Sequence, residues 1–151
     1  AALAPLADRP PDPRVRVHRR LDAHWLSGYS PTAGLDGAAA RVLARGPSVW
    51  FATVAGEPDQ RRPAAVGRCV VDGRWAGFAA MGVAPEHRRR GLGGAVLAEL
   101  ARTALEEGAS AAYLQVEPGN TAARALYDRM GFAEHHAYHY RLAPIASQPD
   151  R

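Results

Sequence analysis

The sequence predicts a mixed α/β (α+β) domain with a single core, and three observations support this fold class. Short runs of β-branched and aromatic residues alternate with segments whose apolar residues recur at helical spacing. The pair Asp72-Gly73 separates two of the strand-like runs and predicts a hairpin. A chain of 151 residues with 47% hydrophobic and 23% charged residues is typical of one soluble globular domain.

The first third of the chain predicts a tail followed by short elements. Residues 1–13 carry four of the 12 prolines and show no periodic pattern, so they are predicted to form a flexible tail or linker. The alternating run 14–18 predicts a strand. Two short helices should follow, capped by Asp22 and by Asp36, and the run 48–54 predicts the next strand.

The rest of the chain predicts the larger elements. In order, they are a hairpin over 65–71 and 74–83, a helix over 92–107, a strand over 111–116, a helix over 120–130 and a last strand or strand pair over 132–142. The long helix carries an apolar stripe of Leu92, Val96 and Leu100. The complete order is β α α β β β α β α β. The domain is predicted to cover 14–143, with 144–151 as a disordered tail.

Composition and charge exclude several classes of protein. The formal net charge is +4, and all 19 basic residues are arginines, which bind phosphate in bidentate geometry. This excess is small and lacks the interleaved aromatic residues of nucleic-acid-binding motifs, so no nucleic acid is expected. The single cysteine, Cys69, predicts a strand residue in a reducing, cytoplasmic setting. No apolar run approaches the ~18 residues of a membrane span, so no membrane is expected.

The stretch VAPEHRRRGLGGAVLAEL, residues 83–100, predicts a phosphate site. Its three arginines run into glycines at the start of the long helix. The first amides of a helix lack partners and its dipole favours anions, while glycine lets a phosphate approach the backbone closely. A nucleoside-triphosphate loop would need Lys-Ser/Thr after its second glycine. A dinucleotide fingerprint would need a third glycine where Val96 stands. The sequence has neither motif, so both of these phosphate sites are excluded.

Two segments together carry a resemblance to a known family. The pattern Val83-x-Pro85-x-x-Arg88-x-x-Gly91-x-Gly93 resembles the acyl-CoA loop of the GNAT acetyltransferase superfamily. The segment YLQVEPGNTAARALYDRMGF, residues 113–132, resembles its second signature. The matching positions of that segment are Asn120, Ala123, Leu126, Tyr127, Gly131 and Phe132.

The resemblance implies a GNAT fold, with a mostly antiparallel mixed sheet splayed between its fourth and fifth strands. It implies acetyl-CoA as cosubstrate. No metal is expected, because no cysteine or carboxylate set accompanies the histidines. The implied contacts to the pantetheine arm come from Met81, Gly82 and Val83 on the fourth strand, and from Asn120 and Ala123 on the second long helix. The implied phosphate-binding residues are Arg88, Arg89, Arg90, Gly91, Leu92, Gly93 and Gly94.

The implied chemistry assigns Tyr127 as the group that protonates, or hydrogen-bonds, the CoA sulfur, and the amide of Val83 as the oxyanion donor. The general base stays open. Relatives that modify protein N-terminal amines place a glutamate where this chain has Gln115, and Glu117 is the substitute nearby. Histidine is neutral near pH 7 and is the other candidate. Alternation over 134–140 would place His135 and His139 on one face of a strand, with His136 on the other.

The resemblance implies an N-acetyltransferase that transfers an acetyl group to a primary amine of a small molecule, a peptide or a protein N-terminus. The residues expected to bind the acceptor are Trp25, Tyr29, Gln115 and His139. The alternative is a non-catalytic acyl-CoA-binding module that senses the cofactor or regulates a partner. A homodimer and a part of a longer chain are both compatible with the sequence.

Overall fold

The fold, described for residues 1–30 and 33–139 by a computed structural model, is built on one five-stranded sheet. The strands, in spatial as well as chain order, are β1 (Val15–His18), β2 (Ser48–Val54), β3 (Ala65–Asp72), β4 (Trp75–Val83) and β5 (Ala111–Leu114). Strands β1 to β4 pair antiparallel, whereas β4 and β5 pair parallel. The predicted mixed, mostly antiparallel sheet is therefore confirmed.

Helices cover both faces of the sheet. They are α1 (Ala4–Ala7), α2 (Ala23–Tyr29), α3 (Ala38–Leu43), α4 (Leu92–Glu106) and α5 (Thr121–Arg129). Helices α1, α4 and α5 pack on one face, which we call the α4 face, and α2 and α3 pack on the other, the α2/α3 face. The predicted stripe on α4 is buried because it lies across the sheet.

Helix capping agrees with the sequence at α2 and differs at α3. The side chain of Asp22 accepts a hydrogen bond from the amide of Trp25 at 2.7 Å, as an N-cap should. Gly37, one residue beyond the predicted Asp36, is the N-cap of α3, and no side chain bonds there. The hairpin turn is also shifted by one residue: Asp72 pairs with Trp75, so the turn is Gly73-Arg74, with Gly73 at a φ of 55°.

The first thirteen residues are packed against the domain, so the prediction of a flexible tail is wrong for them. Leu3 and Leu6 are buried in the core beside α4. Ala2 forms an antiparallel bridge with Ala111 at the edge of β5, and the amide of Leu3 donates to the carbonyl of Ser110 at 3.0 Å. The segment is held because it covers apolar surface on α4 and pairs a free strand edge.

The predicted last strand does not form in the described residues. Residues 132–139 adopt no strand, so the face shared by His135 and His139 does not exist there; residues 140–151 lie outside the described part of the chain. Strand β5 also ends at Leu114, short of the predicted 116. The alternating histidines and tyrosines of this segment offer no strongly apolar face to bury, so alternation alone does not make a strand.

Cys69 is a buried strand residue, as the sequence predicts. Its side chain is fully buried on the α4 face of β3. Burial raises the pKa of the Cys69 thiol to about 12, so the thiol stays protonated at neutral pH. It is therefore unsuited to nucleophilic catalysis.

Candidate active site

Strands β4 and β5 separate part-way along their length. They pair from Trp75 with Ala111 to Phe78 with Leu114 and no further. Beyond that point β4 stays paired with β3 as far as Val83. In the described part of the chain no backbone group pairs with the β5 side of residues 79–83, so these residues line a cleft. Met81, Gly82 and Val83 thus lie at an open strand edge, where an extended ligand can add hydrogen bonds.

A β-bulge marks the start of this cleft. Arg68 pairs with Ala79, but Val66 pairs with Gly82, so β4 carries an extra residue opposite Gly67. Ala80 takes a φ of 51°, which a residue with a side chain adopts only at a cost of about 1 kcal/mol or more. The indole Nε1 of Trp25 donates to the carbonyl of Gly67 at 3.1 Å. This bond satisfies a carbonyl beside the irregular part of the ladder.

The loop after β4 presents unpaired amides. A 3-10 turn, Pro85–His87, leads into the three arginines, and the first bond of α4 runs from the Ala95 amide to the Gly91 carbonyl. Within residues 1–30 and 33–139, no acceptor reaches the backbone N–H groups of residues 89–94. Arg89 and Gly91 have φ values of 63° and 73°. Successive free amides at a helix N-terminus have a geometry that suits an anion, and we call this loop the anion cradle. Phosphate binding there stays a prediction.

The three loop arginines are exposed around this cradle. Nη1 of Arg90 lies 3.9 Å from Oε1 of Glu57 and 3.4 Å from Nδ1 of His87. The guanidinium groups of Arg88 and Arg89 make no ion pair with any residue that the structure describes. Their charges are therefore available to a phosphate.

A fourth arginine, Arg9, reaches the cradle from the N-terminal segment, and the sequence analysis missed it. A Cβ atom on Gly94 would lie 2.7 Å from Nη1 of Arg9, so the guanidinium rests on the first turn of α4. A cavity of about 250 Å³ lies between Arg9, Arg90 and Gly91. A cation at the positive end of a helix is unfavourable on its own and becomes favourable when an anion lies between them. No sequence motif marks Arg9, because its position depends on the packing of α1.

Helix α5 carries the three residues expected to contact the pantetheine arm and sulfur. The Asn120 side chain caps the helix by accepting from the Ala123 amide at 3.1 Å. The Tyr127 ring is buried on the α4 face and packs edge-on against Phe132, with ring centroids 5.9 Å apart. Its hydroxyl has no hydrogen-bond partner among the described residues, yet the core does not enclose it. Burial raises the pKa of Tyr127 above its usual value.

Comparisons with known proteins agree with this geometry. The chain matches the family described as probable histone acetyltransferase Rv0428c, C-terminal, over residues 2–141. The chain belongs to this family. The predicted resemblance to GNAT-type acyltransferases is thereby confirmed. A relative from Bacillus subtilis (strain 168), described as uncharacterized N-acetyltransferase YobR, is 40% identical over 73 residues, which are 48% of this chain and 29% of the relative. The match therefore spans under a third of that relative's length.

Solved structures show the same fold. The aminoglycoside N-acetyltransferase AAC(6')-Iy, in complex with CoA, superposes with a TM-score of 0.67 at 14% identity, over 85% of this chain and 98% of that one. The glucosamine-6-phosphate N-acetyltransferase from Arabidopsis thaliana gives 0.63 at 11% identity, over 85% and 97%. At these identities the likeness establishes the GNAT fold and nothing finer.

The candidate bases of this GNAT-type chain lie outside the cleft strands. Glu117 is exposed in a turn beyond the end of β5, so the strand face that would align it with Gln115 does not exist. Nδ1 of His135 lies 2.9 Å from Nδ1 of His136, and both rings are exposed, as is His139. Among the described residues, β4 carries no acidic side chain. Among residues 1–30 and 33–139, the part of β4 and β5 that forms the split and the cavity beside it carry no carboxylate and no imidazole.

The expected acceptor residues differ in how far the structure exposes them. Trp25 is fully buried between α2 and the sheet, edge-on to Phe51 with ring centroids 5.1 Å apart, so the expectation that it lines an acceptor site is wrong. Tyr29 stacks on Trp25 and is 46% exposed. Gln115 lines a cavity of about 370 Å³ on the α2/α3 face of the split.

The described residues contain neither a metal-binding cluster nor a membrane-spanning helix. No group of histidine, cysteine, aspartate or glutamate side chains converges there on a point where a metal ion could bind. No described helix combines the length and the apolar character that crossing a bilayer requires.

Proposed function

We propose that the chain is an acetyl-CoA-dependent N-acetyltransferase, which transfers the acetyl group to a primary amine by direct attack on the thioester. One observation carries this proposal: the unpaired amides of residues 89–94 lie directly beyond the open strand edge of residues 79–83. A ligand with a pyrophosphate and an extended amide-bearing arm matches both features at once.

In this proposal some residues bind acetyl-CoA, and others stabilise the groups that react. Amides of the loop and the four arginines bind the phosphates, and the edge of β4 orients the arm. Acetyl-CoA supplies an acetyl group on a sulfur leaving group. The Val83 amide is our donor for the developing oxyanion, and the Tyr127 hydroxyl our donor to the departing sulfur. The acceptor ammonium first loses a proton to solvent, because no described residue places a base at the split. The neutral amine then attacks the thioester carbon, CoA leaves as the thiol, and the surplus proton on the nitrogen passes to solvent.

The absence of a base among the described cleft residues favours one second candidate, an acyl-CoA-binding module without turnover. Calorimetric titration with acetyl-CoA, followed by a thiol-release assay on a panel of primary amines, separates the two. Micromolar binding, about −8 kcal/mol, together with amine-dependent release of CoA supports the enzyme. Binding without release on any amine supports the module, and no binding at all contradicts both.

Arg9 gives a sharper test of the cradle. Arg9→Gln is expected to weaken CoA binding by about tenfold, because a charge-assisted contact to phosphate is lost. Calorimetry at low and high salt measures the change, which should shrink as salt rises.

Arg14→Gln is the matched control for Arg9. Arg14 lines the same cavity, but its guanidinium is already paired with Asp12 at 2.7 Å. Its replacement should change CoA affinity by less than about twofold. Equal losses in the two variants would mean that the cavity's general charge, and not Arg9, holds the phosphates.

A further inference from the structure

The cavity on the α2/α3 face of the split contains one unusual charge. Its lining includes Arg68, Val70, Ala79, Tyr113 and Gln115. Arg68 is the single charged side chain in that lining, as far as the described residues show. The cavity lies on the opposite face of the sheet from Tyr127 and α4. An amine in this cavity would therefore approach the cleft from the side opposite the proposed proton donor.

Arg68 is half-buried and has no carboxylate partner among the described residues. Its Nε donates to the Leu43 carbonyl and its Nη2 to the Arg45 carbonyl, both at 2.7 Å. These bonds fix the guanidinium against the C-terminal end of α3, and its Nη1 keeps its donors free of described partners. Burial lowers the pKa of Arg68, as expected for a cation that lacks a counter-ion.

The position of Arg68 relates it to the reacting centre. It pairs with Ala79, the first β4 residue beyond the last β4–β5 pair. Neighbouring strands lie about 4.8 Å apart. Because Arg68 and the cleft residue Ala79 line the same cavity, a group bound to the guanidinium would lie in the cavity that adjoins the split. The Tyr113 ring forms a wall across β4, where Gly77 leaves room: a Cβ on Gly77 would lie 2.6 Å from that ring.

We propose that Arg68 binds an anionic group of the acceptor, so that the chain acetylates amines that also carry a carboxylate or a phosphate and disfavours polyamines. This inference rests on the proposed function. A half-buried cation without a counter-ion attracts an anion strongly and repels a second cation in the same cavity. The free Nη1 donors give that anion a fixed hydrogen-bonding direction. Carboxylate and phosphate share this chemistry, and the acceptor pairs below distinguish them.

The test compares acceptors that differ in one charge. The pairs are glucosamine 6-phosphate against glucosamine, and an amino acid against its carboxamide, each at saturating acetyl-CoA. In the wild type, kcat/KM should be higher for the anionic member of at least one pair. Arg68→Gln should lower the ratio of anionic to neutral kcat/KM by about tenfold, mainly through KM. Arg68→Lys should restore part of this ratio, because lysine returns the positive charge but not the planar set of guanidinium donors.

A control variant distinguishes loss of acceptor recognition from a loosening of α3. Arg41→Gln removes another arginine–carbonyl bond at the same helix, from Nη1 of Arg41 to the Asp36 carbonyl at 2.6 Å, but Arg41 does not line the cavity. In Arg41→Gln the ratio of anionic to neutral kcat/KM should stay unchanged. Neutral acceptors that match the anionic ones in the wild type, or an Arg68→Gln variant that loses activity on both members equally, would overturn the proposal.

Binding measured without turnover distinguishes failure of this inference from failure of the proposed function. With CoA present, calorimetry should detect glucosamine 6-phosphate or the amino acid, and Arg68→Gln should abolish that signal. Anion binding without acetylation of any amine would support the proposed role of Arg68 and contradict the proposed N-acetyltransferase activity. Acetylation of neutral amines, with no preference for anions in binding or rate, would support the enzyme and contradict Arg68.

Discussion

Tyr127→Phe is expected to lower kcat by about 100-fold, because the departing sulfur loses its hydrogen-bond donor. The ring should stay in place, since Phe fills the same buried site against Phe132 and loses no protein hydrogen bond among the described residues. The Kd for acetyl-CoA should therefore be nearly unchanged. Steady-state kinetics on the best acceptor and calorimetry with acetyl-CoA measure the two quantities.

The pH dependence adds a second check on Tyr127. Burial raises its pKa above the ordinary tyrosine value of about 10, so the hydroxyl stays protonated and able to donate below that pH. Loss of the tyrosine proton should therefore produce no fall in wild-type kcat up to about pH 9.

Tyr29→Phe is the matched control, because that hydroxyl belongs to a half-exposed ring stacked on Trp25. A contact of Tyr29 with the acceptor would change KM for the acceptor, whereas kcat at saturating acceptor should stay within about twofold. If Tyr127→Phe also kept kcat within that range, Tyr127 would be a packing residue, and the proton for the sulfur would have to come from solvent.

The parts of the fold that sequence predicts are those set by local chemistry. The strand over Ser48–Val54 has its predicted bounds, and α4 differs by one residue, because β-branched runs and an apolar stripe at helical spacing are visible without tertiary information. The anion cradle could be predicted for the same reason. Its glycines and arginines are adjacent in the chain, and the helix N-terminus supplies the remaining donors.

The parts that sequence misses depend on contacts between distant segments. Residues 1–13 resemble a linker by composition, but Leu3 and Leu6 find apolar surface on α4, and that placement brings Arg9 to the cradle. Trp25 is expected from the sequence to bind the acceptor, whereas its indole N–H donates to the carbonyl of Gly67 in the interior. Arg68 carries no motif either, since its significance comes from the cavity beside it. Each case needs the three-dimensional arrangement before the residue's role is apparent.

Gly67→Ala is expected to lower the free energy of unfolding by about 2 kcal/mol, although alanine is ordinarily the better strand residue. A Cβ at this position would lie 2.5 Å from Cγ1 of Val96 and 2.8 Å from Sδ of Met81. Met81 can change rotamer, but Val96 is β-branched and fully buried, so α4 must move away from the sheet. Urea unfolding measures the loss.

The same displacement should weaken acetyl-CoA binding, because Gly67 sets the distance between two halves of the proposed site. Val96 belongs to the helix whose first turn forms the anion cradle, and Met81 lies on the strand edge that we propose to hold the pantetheine arm. Gly119→Ala is the matched control: a Cβ there meets nothing within 4 Å, and its φ is not positive, so stability and affinity should both persist. A Gly67→Ala variant with wild-type stability and affinity would show that α4 can shift without cost, and that the cradle does not depend on its close packing against β3.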